Sequence, residues 1–305
     1  MGPGGGAKLN QYSYTVVIAT FNRAHLIGRA IASVIGQNCS TTEIIVVDDC
    51  SDADIGGLLA REYPGVRYIR QNVNSGPGPA RNVGIRAASN EWVIILDDDD
   101  ILLPNALETI YKKLDIAYPV INFSTTNGKL PAAYMVIKPG DYYSGRVSGD
   151  FTPVINKTIF LKENYEYPNV RIGGESLLWI KIAEEYGIPT WEDKVCRPMD
   201  DAAVRLTSFE HQIKRAHEYA HLQELIIREQ EGLMRKYSPD QLILRRFGLV
   251  TYLLLSGDRK KARKVLSTIN EKNAGLKKVL LFLLSVLPKS LIIKAFLYYR
   301  NKGRD

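Results

Sequence analysis

Three short, almost uninterrupted apolar runs in the first hundred residues each end in a cluster of polar side chains. Tyr14–Ala19 precedes Thr20–Arg23, Glu43–Val47 precedes Asp48–Asp52, and Trp92–Leu96 runs straight into Asp97–Asp100. Runs of this length without polar alternation are strands buried on both faces, the condition of a parallel sheet covered by helices. Between them lie helical patterns. Arg23 to Gln37 places Leu26, Ile27, Ala30, Ile31, Val34 and Ile35 at helical spacing. A helix over Ile55–Tyr63, a strand over Val66–Arg70, a Gly/Pro/Asn loop at Asn74–Pro79 and a helix from Pro79 to Ala88 complete the alternation. The expected fold is α/β, doubly wound, with a mostly parallel sheet flanked by helices. Ligands of such sheets gather at the carboxyl ends of the strands, where all three polar clusters fall.

Further along, Val120 to Tyr167 is rich in Gly, Pro, Tyr and Thr and reads as irregular strands and loops. Glu175 to Tyr186 is helical. From Phe209 to Asn301 the pattern is helical throughout, with breaks near Ser238-Pro239, Gly257-Asp258 and Pro288. The expected organisation is a flexible leader at 1–12, an α/β domain at 13–206 with halves at 13–104 and 105–206, and a helical region at 207–305. The leader lacks the basic start and apolar core of a signal peptide. No run approaches about 18 apolar residues, so a membrane-spanning helix is not expected. A hydrophobic content of 45% with 24% charged residues is that of an ordered globular chain, and the net charge of +7 favours a polyanionic partner. Cys39, Cys50 and Cys196 form no CxxC pair, which argues against zinc, and their odd number suits a reducing compartment.

Asp97 to Asp100 places four carboxylates side by side, and burying that end of a strand is costly without a cation. A hard divalent ion, Mg²⁺ or Mn²⁺, suits oxygen ligands and bridges to phosphate. On an extended segment Asp97 and Asp99 face the same side. The plain alternative is a solvated acidic turn before the helix near Pro104. Asp48 and Asp49 are placed to accept hydrogen bonds from a base or a ribose; the alternative is a cap or Asx turn. In Asn74 to Asn82, Gly76 and Gly78 permit close backbone approach, and Arg81 can pair with phosphate or with the acidic clusters.

Taken in order, Val17-Ile18-Ala19-Thr20-Phe21-Asn22-Arg23, Val46-Val47-Asp48-Asp49-Cys50-Ser51-Asp52, Asn74…Gly76…Ala80-Arg81-Asn82…Gly84 and Leu96-Asp97-Asp98-Asp99-Asp100…Pro104 resemble family 2 glycosyltransferases. The resemblance runs from Tyr14 to roughly Leu206. It implies the Rossmann-like GT-A fold, an inverting transfer from a nucleotide sugar, UDP-linked by resemblance, and a Mn²⁺ or Mg²⁺ cofactor. It also implies site roles. Thr20, Phe21, Asn22 and Arg23 would lie at the nucleotide, Asp49 and Asp48 at the uracil or ribose, and Asn74, Gly76 and Arg81 would order that site. Asp99 would be the principal metal ligand of a DxD motif, with Asp97 and Asp98 holding metal-bound water or ribose and Asp97 also counted as a metal ligand. The family's base precedes a helix reading like Asp-Leu-Trp. Aligning on Leu178-Trp179 puts Glu175 there, whereas an unshifted alignment puts Ser176 there, and a serine cannot act as base.

The last stretch, Leu276–Lys302, combines Val279–Leu287, Phe296, Tyr298 and Tyr299 with Lys277, Lys278, Lys289, Lys294, Arg300 and Lys302 and holds no acidic residue. Apolar faces too short to span, flanked by basic residues, suit the surface of an anionic bilayer. Arg259 to Lys264 adds a further basic run. A packed hairpin or a homo-oligomer interface is the alternative. The resemblance extends to enzymes of bacterial surface polysaccharide synthesis, hence a glycan or lipid-linked acceptor and a cytoplasmic location on the inner face of the membrane. Two rivals remain. A non-catalytic nucleotide-sugar or glycan-binding protein would keep the fold without the base. A nucleic-acid-binding protein is disfavoured, because the strand ends are acidic and would repel phosphate.

Overall fold

The computed structural model describes residues 13–37, 42–199, 208–269 and 275–302. The leader expected at 1–12, the boundary expected at 206 and Cys39 lie outside these residues, as do the side chains of Tyr299, Arg300 and Lys302. The chain divides into two compact units, Met1–Ala202 and Ala203–Asp305.

In the first unit, β1 (Tyr14–Thr20), α1 (Ala24–Ile35), β2 (Thr42–Asp48), α2 (Ile55–Glu62), β3 (Arg67–Arg70), α3 (Pro77–Ala87) and β4 (Trp92–Asp97) follow one another as the hydrophobic pattern predicts. Next come β5 (Ile101–Leu102), α4 (Ala106–Tyr111), β6 (Val120–Thr125), β7 (Tyr134–Ile137), α5 (Pro139–Tyr143), β8 (Phe151–Asn156), α6 (Lys157–Lys162), α7 (Glu175–Glu185) and β9 (Ile188–Arg197). These nine strands form one sheet in the order β3-β2-β1-β4-β8-β6-β9-β5, with β7 also on β9. The β3-β2-β1-β4 half is parallel. Beyond β4 the sheet is mixed: β8 runs antiparallel to β4 and β6, while β9 is parallel to β6 and antiparallel to β5 and β7.

Both faces of the parallel half are buried, which is why its strands read as solid apolar runs. Val16 and Ile18, Ile44 and Val46, and Trp92, Ile94 and Leu96 face one core with Ile27, Ile31, Leu59, Leu107 and Ile110. Their neighbours Val17, Ile45, Val47, Val93 and Ile95 face the other, with Ala80, Ile85, Leu178 and Ile182. Helices α1, α2 and α4 thus cover one face, and α3 and α7 the other. Helix α3 starts at Pro77, two residues before the expected Pro79. A proline in the first turn costs no hydrogen bond, and Gly76 before it takes φ +98°. The register sets Thr20 opposite Asp48 and Ala19 opposite Asp97, so the three polar clusters share one edge.

The second unit is helical: α8 (Phe209–Lys214), α9 (Ala216–Tyr237), α10 (Pro239–Ser256), α11 (Arg259–Ser267), α12 (Gly275–Leu284) and α13 (Lys289–Lys302). Its core gathers Phe247, Val250, Leu254, Leu255, Leu266 and Ile292. The breaks fall where turn chemistry places them. Pro239 opens α10, Gly257 ends it at φ +98°, and Asp258 caps α11 by accepting from the Lys261 N–H at 3.0 Å. A further break at Arg215 carries no glycine or proline to announce it. Among the described residues, no helix is long and apolar enough to cross a membrane.

At the opposite edge of the sheet from the polar clusters, the Glu43 carboxylate ties β1 to the α3–β4 turn. It accepts from the Thr15 hydroxyl (2.6 Å) and from the Ser89 N–H (2.8 Å) and hydroxyl (3.0 Å). Burial works against its charge, but these bonds and Arg67 outweigh it and hold the carboxyl below its ordinary range. A depressed folded value means stability that is present above the unfolded pKa and lost as pH falls through the folded one. Glu43→Gln should therefore cost about 1–2 kcal/mol in urea unfolding at neutral pH, and the deficit should shrink as pH falls below the ordinary glutamate range.

Candidate active site

The strand ends of the parallel half meet at one edge, and each following turn is held by a carboxylate. Strand β4 stops at Asp97 and the chain turns at once, the Asp100 N–H donating to the Asp97 carbonyl at 3.1 Å. This turn replaces the extended geometry that would have aimed Asp97 and Asp99 to one side. Asp98 folds inward, accepting from the Thr20 hydroxyl and from Arg23 Nη1, each at 2.7 Å. Asp99 accepts from the same nitrogen at 3.0 Å. Asp97 turns the other way, to Arg81 Nη2 at 2.5 Å.

The tetrad does not stand as four free charges. Burial pushes Asp98 up to about 6 despite Arg23. Asp100 rises to about 7 through burial and the neighbouring Asp97 and Asp99 carboxylates. It accepts from the Met199 N–H at 3.3 Å and from the Cys196 thiol at 3.7 Å. Only Asp97 is well exposed, at 51% of its side chain.

The second cluster is largely structural. Asp48 has no exposed side-chain surface. One oxygen accepts from the Ser51 N–H (2.8 Å), the other from the Tyr68 hydroxyl (2.7 Å) and Arg70 Nη1 (2.8 Å). Asp48, expected at the nucleotide, is sealed from solvent with Tyr68 and Arg70 as partners, and it closes the β2–α2 turn. Asp49 gathers the loop before α3, accepting from Gln71 Nε2 (2.7 Å) and from the N–H groups of Ser75 (2.8 Å) and Gly76 (2.7 Å). Burial raises its pKa. Asn22, at φ +55°, exchanges two bonds with Asp52 and donates its N–H to the Ser51 hydroxyl at 2.8 Å, fastening the first two loops together. Phe21 beside it is exposed.

The third cluster reaches across the unit. Arg81, 10% exposed, donates Nη1 to Glu175 Oε1 at 3.0 Å while Nη2 holds Asp97. Burial opposes its charge, but Asp97 and Glu175 keep its pKa raised. Its guanidinium lies 5.3 Å from the centre of the Tyr167 ring. Glu175 opens α7 after Gly173 (φ +52°) and Gly174 (φ +91°) and remains one-third exposed. Ser176 follows it on the first turn.

The close approach expected at Gly76 and Gly78 is made to the chain itself. A Cβ on Gly76 would meet the Arg171 Cα at 2.6 Å, and one on Gly78 the Tyr167 Cβ and the Pro168 carbonyl at 3.1 Å. Asn74 Oδ1 accepts from Arg171 Nη2 at 3.1 Å. Sequence reasoning missed Tyr68, Arg70 and Gln71, although the end of a parallel strand is where partners for Asp48 and Asp49 belong. It also missed Tyr167 and Arg171, for which no sequence signal exists. Among the described residues, no three His, Cys, Asp or Glu side chains gather to hold a metal ion.

A sheet of this order, parallel from β3 to β4 and mixed beyond, with its acidic strand ends at one edge, places the molecule among doubly wound α/β proteins. The chain belongs to glycosyl transferase family 2, whose model matches residues 15–168. It is 32% identical over 186 residues to the GalNAc(5)-diNAcBac-PP-undecaprenol beta-1,3-glucosyltransferase of Campylobacter jejuni, covering 56% of this chain and 60% of that protein. It is 44% identical over 104 residues to the succinoglycan biosynthesis protein ExoO of Rhizobium meliloti, covering 34% of this chain and 30% of that one. The chain thus spans less than two thirds of these relatives. Its fold is shared with S. aureus TarS 1-349 in complex with UDP-GlcNAc (TM-score 0.52, 15% identity, 90% of this chain and 79% of that one). The mannosyltransferase PcManGT of Pyrobaculum calidifontis, in complex with GDP-Man and Mn2+, shares it too (TM-score 0.53, 18% identity, 94% and 87%).

Asp48→Asn separates support from chemistry. It should lower stability by about 2 kcal/mol in urea unfolding, since the carboxylate and its Ser51 partner are sealed from water. Nucleotide affinity by calorimetry should stay within about twofold, the bound being roughly 0.4 kcal/mol.

Proposed function

We propose that the chain transfers a hexosyl or N-acetylhexosaminyl unit, with inversion, from a nucleotide donor to a hydroxyl of a glycan or lipid-linked acceptor in surface polysaccharide synthesis. UDP is the first candidate for the nucleotide. The observation that carries this reading is the Arg81 bridge, which brings Glu175 to the acidic end of β4. The relatives support it: one is a glucosyltransferase named for GalNAc(5)-diNAcBac-PP-undecaprenol, one is a succinoglycan biosynthesis protein, and a protein of the same fold was solved with UDP-GlcNAc.

The donors at the end of β4 are carboxylate oxygens, and Asp97 is half exposed, which fits a hard divalent cation, Mn²⁺ or Mg²⁺. Asp99 and Asp97 would hold it once they turn from Arg23 and Arg81, their present partners, and when bound it would neutralise charge on the leaving diphosphate. Thr20, Phe21, Asn22, Asp49 and Asn74 border the base and ribose, with Asp98 steadying the turn beneath. Arg23 and Arg81 exchange part of their carboxylate contact for the diphosphate. Glu175 takes the acceptor hydroxyl proton as that oxygen bonds to the anomeric carbon. The bond from that carbon to the diphosphate oxygen breaks on the opposite face, and the nucleoside diphosphate leaves with the electron pair. One displacement inverts the centre.

The acceptor side is supported by α12. Leu276, Val279, Leu280 and Leu283 recur at helical spacing and are more than half exposed, as is Phe282. The lysines of that helix turn inward: Lys278 Nζ donates to the Ile269 carbonyl at 2.6 Å, and Lys277 Nζ lies 5.0 Å from the Phe247 ring centre. Arg259 and Arg263 hold the carbonyls of Leu287 and Ser285 at 2.7 and 3.2 Å, so these members of the basic run serve the fold. The outward apolar face, with Lys289 and Lys294 exposed on α13, docks on the inner, anionic face of the cell membrane.

Two outcomes are expected. With Mn²⁺ and a panel of nucleotide sugars, one donor should release its nucleotide and yield a product of inverted anomeric configuration by NMR. Glu175→Gln should lower that rate about a hundredfold or more while binding UDP normally. UDP binding with no turnover of any donor would leave a sugar-nucleotide-binding protein instead. Separately, replacing Leu280, Phe282 and Leu283 by Ser should weaken binding to phosphatidylglycerol vesicles at least about tenfold in sedimentation, with the helical content intact.

A further inference from the structure

We infer that Asn82 is a positioning residue for glycosyl transfer, acting through Tyr167 on Glu175; this rests on Glu175 being the base. Asn82 is buried on α3, and its amide makes a two-way bond to one peptide unit pair: Nδ2 donates to the Tyr167 carbonyl at 2.8 Å, and Oδ1 accepts from the Tyr167 N–H at 2.9 Å. That exchange copies one rung of a sheet for a segment, 163–174, that belongs to no strand or helix.

The segment's contacts converge on one task. Tyr167 is 2% exposed, and its ring lies under the Arg81 guanidinium on one side. It meets the Trp179 ring of α7 edge-on, at 5.4 Å between centres. Gly76 and Gly78 let the segment lie directly against the start of α3. Four residues within two turns, Gly76, Gly78, Arg81 and Asn82, therefore address the stretch that ends in Glu175. Gly173 and Gly174, both at positive φ, leave little intrinsic stiffness just before that residue. The place of the Glu175 carboxylate is then set by what grips the chain on either side: Arg81 directly, and Asn82 through Tyr167 and Trp179. Displacement of a base by a fraction of an ångström slows proton transfer without touching nucleotide contacts.

The test is a double-mutant cycle on the full chain, read as transfer rate, UDP affinity and unfolding midpoint. Asn82→Ala should lower kcat roughly tenfold with donor KM and UDP affinity unchanged. In the Glu175→Gln background it should have no further effect, because the group it positions is already gone. Equal losses in UDP affinity and kcat, or the same tenfold loss on top of Glu175→Gln, would overturn the inference. If Asn82→Ala does not fold, Gly78→Ala takes its place: its Cβ presses on Tyr167 and Pro168, and the same pattern is required of it. Full activity of Glu175→Gln would instead overturn the assignment of the base, a result distinct from either.

Discussion

A guanidinium almost withdrawn from water must keep its charge balanced, and Arg81 does so with two carboxylates from distant parts of the chain. Asp97 ends the fourth strand, and Glu175 opens the seventh helix, nearly eighty residues on. Removing either partner leaves a buried cation undercompensated, so the three elements that carry Arg81, Asp97 and Glu175 are held to one geometry. The aromatic floor beneath Arg81, the glycines that admit the 167–171 segment and the Asn82 exchange all follow from having to bury that charge beside a chain without regular structure.

The polar edge of the sheet serves two purposes at once. Asp48, Asp49, Asn22 and Ser51 spend their hydrogen bonds on the loops that follow the parallel strands, which otherwise end in unpaired backbone groups. What faces solvent is a different set: Asp97, part of Asp99, Glu175, Phe21 and Asn22, which keeps its exposure while bonded to Asp52. A cluster of acidic residues at a strand end is therefore not one site. Its buried members shape the turns, and its outer members face solvent.

The helical unit shows the same division for basic residues. Charges that read as one stripe in the sequence are split by packing, some capping helix ends and some covering aromatic rings, while leucines and a phenylalanine face outward. Net charge counted along a chain does not say which charges meet a partner.

Much of the parallel half was legible from hydrophobic period alone, because strands buried on two faces and helices buried on one impose different spacings. Helix limits at Pro239, Gly257 and Pro288 were legible from backbone chemistry, whereas the break at Arg215 and the order of strands after β4 were not. The gathering of Thr20, Asp48 and Asp97 at one edge followed from strand direction. How each of those carboxylates would be buried did not, since Asp48 and Asp49 are adjacent and alike until Tyr68 and Arg70 pair with the first and Gln71, Ser75 and Gly76 with the second. The sequence by itself determined the alternating elements, the shared acidic edge and the family, because these depend on local period and on short motifs. Only the tertiary structure decided that Asp98 turns inward to Thr20 and Arg23, that Gly76 meets Arg171, and that Arg81 joins Asp97 to Glu175. Those contacts link residues far apart in the chain, and no local pattern encodes the distance between two side chains that only packing brings together.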